Sequence, residues 1–399
     1  MPIIVGIEVA KASILCCLID ITNIPTNASE FARTYTPIPL LSDSAGMQKL
    51  LELGDSYVIE PTGDYSKIWI DALKANQKTV LRVNSKRVKA LKEYHGIASK
   101  SDRYDAAFLA LYGAVNLNNS QAFLSDYAED LRTVVLHHQF LSRMTGNHQR
   151  RLWQLLSHEW PEVCRSKTGT KPQQNRRWLE ADPPALWRYI AGEPIRNWRL
   201  RDRQLGQSIG SGLSDLSRAL AAQVCELERK QYPYEERISA LLAASEFKPY
   251  MEVLERFGMA ELTRAAVLSR IYPFSQFLSE DGSEVVVRVP SVKTEGRYHR
   301  RNKSLGAFRL ALGNATKLYQ SGQVREERAA GSKLARCSLF LHVKSKIVIL
   351  GDRPNLATPR LKQHIDYYQS LDQVPHNLAV MKTVSRIVKD LYREFLESL

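Results

Sequence analysis

Four carboxylates stand in this sequence where isolated charge is expensive. Glu60 ends the apolar run Tyr57-Val58-Ile59 and is followed at once by Pro61-Thr62-Gly63, the pattern of a buried strand stopped by a turn. Glu8 interrupts Ile3 to Val9, which is otherwise apolar on both faces. Asp102 and Asp105 open the run Ala106-Ala107-Phe108-Leu109-Ala110-Leu111 at a spacing of i, i+3, so a helix carries both on one face. A charge at the end of a buried strand is costly unless a cation neutralises it. Brought together, four such groups suit one chemistry, which is holding divalent metal ions against a phosphodiester.

The elements that must position them follow from periodicity. Strands are predicted at Ile3 to Val9, Ser13 to Asp20 and Phe31 to Thr36, then a helix at Ser44 to Leu53 and a strand ending at Glu60. A helix at Tyr65 to Ala75, a strand at Thr79 to Val83, a helix at Lys86 to Tyr94 and a helix from Asp102 complete the set. A meander of strands followed by alternating β and α units gives a mixed sheet flanked by helices. In this ribonuclease H-like α/β arrangement, acids from the first strand, the fourth strand and a late helix converge.

The motifs G-I-E-V-A-K, E-P-T-G-D-Y and K-S-D-R-Y-D-A resemble those of the DEDD transposases and recombinases of the insertion-sequence one-ten family, which includes the Piv-type invertases. The usual forms there are G-I-D-V-S-K, E-A-T-G-x-Y and K-T-D-x-x-D-A. The resemblance implies a RuvC-like catalytic domain whose tetrad is Glu8, Glu60, Asp102 and Asp105, with Mg²⁺ as cofactor. Glu8 replaces the usual Asp, and its extra methylene moves the ligand oxygens by about one bond length in a site where magnesium asks for a near-ideal octahedron.

The chain has 399 residues, 44% of them hydrophobic, enough for two or three domains with substantial cores. Glu8 and Lys11 break the early apolar run, so a secretion signal is not expected. No run approaches the roughly 18 to 20 apolar residues of a membrane span, and a cytoplasmic protein is expected. Five cysteines without a C-x-x-C pair read as reduced, mostly structural thiols, and the scattered histidines do not have zinc-ligand spacing. The net charge of +14 favours a polyanionic partner. From Arg288 to Lys346 there are 14 Lys or Arg against 3 Glu, a local balance of +11.

The first domain is expected to span residues 1–125. A helical middle, 126–249, begins with an amphipathic pattern (Leu131, Val134, Val135, Leu141, Met144, Leu152) that reads as a packing helix or as the coiled coil the resemblance implies. A second long helix, Leu213 to Lys230 and then Tyr234 to Ala244, is expected to return antiparallel to it. Between them lies an insertion bearing Arg176, Arg177, Trp178, Trp198 and Arg199. Indole beside guanidinium suits stacking on unpaired bases, and such pairs also occur in plain cores with a solvated rim. Residues 250–399 form a mostly α-helical domain that resembles the family's transposase domain. The match sets Ser291 on the nucleophilic serine, with Val292 where the family has Gly, and Asn302-Lys303 on its S-K pair. Lys293, Arg297, Arg300, Arg301 and Lys303 make the surrounding loop a nucleic-acid contact. Lys344 to Leu350 reads as a strand and Tyr367 to Leu399 as helices.

The resemblance implies a DNA transposase that cleaves and exchanges strands through a serine-linked intermediate. Its partners would be DNA and a structured bridge RNA, its assembly a homodimer or homotetramer. Two rivals remain: a RuvC-type hydrolytic nuclease without a covalent serine, and a nucleic-acid-binding protein whose catalysis has decayed.

Overall fold

The computed structural model describes residues 2–61, 63–97, 99–119, 122–164, 175–279, 281–290, 298–321, 324–351 and 357–399. The chain forms two compact units, Met1–Asp126 and Tyr127–Leu399.

The first unit is a five-stranded mixed sheet: β1 (Ile3–Val9), β2 (Ser13–Asp20), β3 (Ile38–Leu41), β4 (Ser56–Ile59) and β5 (Thr79–Arg82), in the order β3-β2-β1-β4-β5. β1, β2 and β3 pair antiparallel, while β1, β4 and β5 run parallel. Helices α1 (Ala28–Thr34), α2 (Ser44–Glu52), α3 (Asp64–Ala75), α4 (Ser85–Tyr94) and α5 (Asp102–Asn116) complete the unit. The strand expected at Phe31 to Thr36 is instead α1, and the third strand follows it. Asn27 caps that helix by accepting from the Glu30 amide at 3.1 Å, and Ala28, Phe31, Ala32 and Tyr35 repeat at helical rather than alternating spacing.

Alternation along the strands assigns each side chain to a face. Val5, Ile7, Tyr57 and Ile59 pack in a core with Leu50 of α2 and Trp69, Ile70 and Leu73 of α3. Ile4 and Val58 point the other way and pack with the apolar residues of α5. Gly6 lies on that second face, where a Cβ would stand 2.3 Å from the Ala106 carbonyl oxygen and 2.4 Å from the Ala110 amide nitrogen. The backbones of β1 and α5 therefore touch, an approach that glycine alone permits.

The second unit is dominated by helices. α6 (Asp126–Glu159) runs antiparallel to α10 (Asp215–Leu242), as contacts from His138 to Glu235, Thr145 to Gln231, Gln149 to Glu228 and Glu159 to Ser214 establish. α10 is continuous through Pro233, which lies between the two stretches expected of this helix; its flanking turns are held by Gln231, Glu235 and Ile238, all buried. Short helices α7 (Pro161–Cys164), α8 (Ala185–Ile190) and α9 (Trp198–Gly206) lie between them in sequence.

Thereafter come α11 (Lys248–Arg256), α12 (Glu261–Ile271), a hairpin of β6 (Val286–Pro290) and β7 (Tyr298–Asn302), and α13 (Lys303–Ala311). A second hairpin, β8 (Ala315–Ser321) with β9 (Val324–Ala330), stands within the domain expected to be mostly α-helical. α14 (Lys333–His342), α15 (Pro359–Gln369) and α16 (His376–Ser398) finish the chain. Lys344 to Leu350 is not a strand: Val343–Val348 continues α14 as a π-helical segment, with Val343 and Ile347 buried beside Leu339. Among the described residues no helix is long and apolar enough to cross a membrane.

Candidate active site

Glu8 continues the face of β1 that carries Ile4 and Gly6, so it points toward α5. Glu60 follows β4, on the parity of Val58, in the parallel neighbour of β1. α5 presents Asp102 and Asp105 in its first turn, where carboxylates also suit the helix dipole. Ligand oxygens of Glu8, Asp102 and Asp105 all lie within 4.8 Å of one another. Glu60 stands outside that triad but interacts electrostatically with both Glu8 and Asp105.

The start of α5 is clamped from the side away from the acids. Arg103 donates to the carbonyls of Arg33 at 2.8 Å and Tyr35 at 2.5 Å, and the Tyr35 hydroxyl donates to the Arg103 carbonyl at 2.7 Å. These bonds hold the first turn of α5 to the end of α1, which fixes where Asp102 and Asp105 project. After Glu60, Gly63 takes a φ of 66° that lets the chain reverse from strand into α3.

The charge balance of the site is unusual for a protein interior. Burial first, then Asp105, Glu60 and Asp102, push the Glu8 carboxyl up to about 7, against the opposing pull of Lys92. Burial and Asp105 also raise Glu60, and a hydrogen bond from Ser85 opposes them. Lys92 of α4 is 8% exposed and forms an ion pair with Asp105. Sequence reasoning missed this lysine, although a signal exists: Val88, Leu91, Lys92 and His95 share one helical stripe, so Lys92 interrupts an apolar face. A buried ammonium inside an acid cluster occupies the electrostatic role of a cation, and the donor set of three carboxylates at ligand spacing fits a hard divalent ion.

A consequence follows for pH. A carboxyl raised from 4.5 to about 7 contributes stability that is present below about pH 4.5 and lost as pH rises through 7. Metal binding runs the other way, because protons compete with the ion. The thermal midpoint shift produced by Mg²⁺ or Mn²⁺ should therefore be small at pH 5.5 and grow through pH 8. At a hundredfold excess over the dissociation constant it should correspond to about 2.7 kcal/mol. Glu8→Gln should abolish most of that shift while raising the metal-free midpoint at pH 8. Differential scanning calorimetry across pH reads both, and a midpoint indifferent to metal at every pH would count against a metal site.

The remaining candidate residues separate. Arg176 is spent internally: its guanidinium pairs with Glu235, which also accepts from the Leu179 amide at 2.8 Å and contacts His138 at 3.3 Å. Trp178 donates to Glu261 at 2.7 Å and packs edge-on against His138. These two belong to the interior of the second unit, while Arg177 is exposed. On α9, Trp198 is 50% exposed with the Arg199 guanidinium 5.4 Å from its ring centroid. Arg300 and Arg301 lie exposed on β7, and Lys303 begins α13. Ser291, Lys293 and Arg297 lie outside the described residues.

Residues 5–161 match the family model of the IS110-type DEDD transposases, described as Transposase. The matched stretch takes in the whole sheet from Val5 onward, all four acids and α6. Over this stretch the chain is similar to that transposase family. No curated protein matches the chain.

Proposed function

We propose that this protein is a DNA transposase that cleaves and exchanges DNA strands in a metal-dependent reaction centred on Glu8, Glu60, Asp102 and Asp105. The observation that carries the proposal is the convergence of Glu8, Asp102 and Asp105 from β1 and α5 within 4.8 Å, inside the family-matched stretch. The strand order β3-β2-β1-β4-β5, three antiparallel and two further parallel, supports a ribonuclease H-like (RuvC-like) unit.

The acids would hold Mg²⁺, which supplies charge neutralisation at the scissile phosphate. Glu8, Asp102 and Asp105 offer the ligand oxygens, and Glu60 adds negative charge beside them. Lys92 pairs with Asp105 and orients its carboxylate, and Arg103 fixes the helix turn that bears both aspartates. Ser291 is assigned the nucleophile by resemblance: its Oγ attacks phosphorus, the strand oxygen leaves with a proton, and the phosphoserine conserves the bond energy for rejoining without ATP. A bridge RNA as guide and a homodimeric or homotetrameric assembly belong to the same reading.

A labelled DNA carrying the element's ends, incubated with the protein, RNA from its own locus and Mg²⁺, tests it on a denaturing gel. A protein-linked strand is expected, lost in Ser291→Ala. Cleavage that survives Ser291→Ala without a linked strand would turn the assignment to a hydrolytic nuclease. The Lys92–Asp105 ion pair favours one other reading, a nucleic-acid-binding protein whose acid cluster is neutralised from within; it predicts binding with no cleaved strand.

A further inference from the structure

α16 carries four exposed cations, Lys382, Arg386, Lys389 and Arg393, at spacings of four, three and four residues. That spacing aligns all four on one stripe of the helix. The stripe lines an open concavity of about 490 Å³, to which Tyr367 of α15 also contributes. Like charges at such spacings oppose helix formation, so the arrangement is a cost the fold carries.

One carboxylate answers it. Asp390, 5% exposed, accepts from Arg386 Nε at 3.1 Å, lies 3.6 Å from Arg393 Nη1 and contacts His364 Nε2 at 3.1 Å. The Tyr367 ring lies 5.6 Å from the Arg386 guanidinium. Arg386 is thus fixed by Nε and by its planar face, which leaves both terminal nitrogens for a ligand, and a guanidinium held in this way suits bidentate recognition of phosphate. Lys382 and Lys389 have no carboxylate partner among the described residues.

We propose that this stripe is a track for the phosphodiester backbone of a nucleic acid, made of residues separate from the acid cluster and resting on the nucleic-acid partner of the transposase reading. Its length suits that ligand. The eleven steps from Lys382 to Arg393 at 1.5 Å rise span about 16.5 Å, which corresponds to about five nucleotides along one strand of duplex DNA. Four cations on that length contribute about −3.6 to the salt slope for duplex DNA and about −2.8 for a single strand.

The test is to titrate a labelled 30-base-pair duplex DNA and a single-stranded RNA of equal length into the intact protein over a range of salt. Lys382→Ala/Lys389→Ala should make the slope shallower by about 1.8 on duplex DNA, or by about 1.4 if the occupant is single-stranded RNA. Binding near 0.15 M salt should weaken by roughly ten- to thirtyfold on that ligand. Lys382→Arg/Lys389→Arg should keep both slope and affinity, and an unchanged melting midpoint in each variant separates lost contacts from lost folding. Tight, salt-sensitive binding with the same slope in wild type and Ala variant on both ligands would overturn the track and leave the transposase reading standing. A wild-type protein that binds neither ligand would overturn both.

Discussion

Asp102→Asn should leave a folded protein that cleaves DNA about a thousandfold more slowly than wild type. The amide keeps the shape of the side chain but removes the charge, and one of three ligand oxygens within 4.8 Å becomes neutral. Losing metal-centred charge stabilisation is worth several kcal/mol of barrier, and each 1.36 kcal/mol is about tenfold in rate. Stability should change little: Asp102 is exposed, and its favourable place in the first turn of a helix is worth about 0.3–1 kcal/mol. The substitution also removes one of the charges that raise the Glu8 carboxyl, so Glu8 should titrate at lower pH, observable by NMR. Single-turnover cleavage assays with the variant and wild type at matched metal concentration measure the rate. A variant that cuts at more than a tenth of the wild-type rate would sink the assignment of Asp102 to the metal.

Gly6→Ala should cost the first unit about 3 kcal/mol or more and damage the site with it. The added methyl meets two backbone atoms of α5 at 2.3 and 2.4 Å, and neither is the tip of a flexible side chain that can swing away. Relief requires α5 to move off β1, opening the core that holds Phe108, Leu109 and Ala110. Because Asp102 and Asp105 ride on α5 while Glu8 rides on β1, the same shift pulls the carboxylates apart. Gly146→Ala provides the contrast: it lies within α6 with only the Arg150 guanidinium near, at 3.9 Å, and should stabilise by about 0.5–1 kcal/mol. Urea denaturation of both variants, with the metal-induced midpoint shift as a second readout, checks the pair. A Gly6→Ala protein as stable as wild type would show that the strand and helix backbones do not touch as described.

Much of the first unit could be read from order alone. The strands at Ile3 to Val9, Ser13 to Asp20 and before Glu60 announced themselves because both their faces are buried, which leaves long apolar runs with a lone acid at Glu8 and Glu60. Asp102 and Asp105 were legible because a helix fixes i, i+3 neighbours on one face whatever surrounds it. The strand expected at Phe31 to Thr36 failed for a local reason, an Asn27 cap that settles a short apolar segment as helix. The ribbon of β8 and β9 failed because its strands are polar and exposed on both sides, so neither period shows.

Sequence by itself determined which residues carry charge, which stretches must be buried, and the transposase family whose model residues 5–161 match. Tertiary structure decided who meets whom. Lys92 joins the acids because α4 packs against α5, a contact between helices that neither helix encodes alone. Arg176 and Trp178, which suit base stacking by type, are drawn inside because Glu235 of α10 and Glu261 of α12 offer them partners. Burial makes the difference in each case. A charge withdrawn from water must find its counterpart nearby, and only the folded chain sets which counterparts are near.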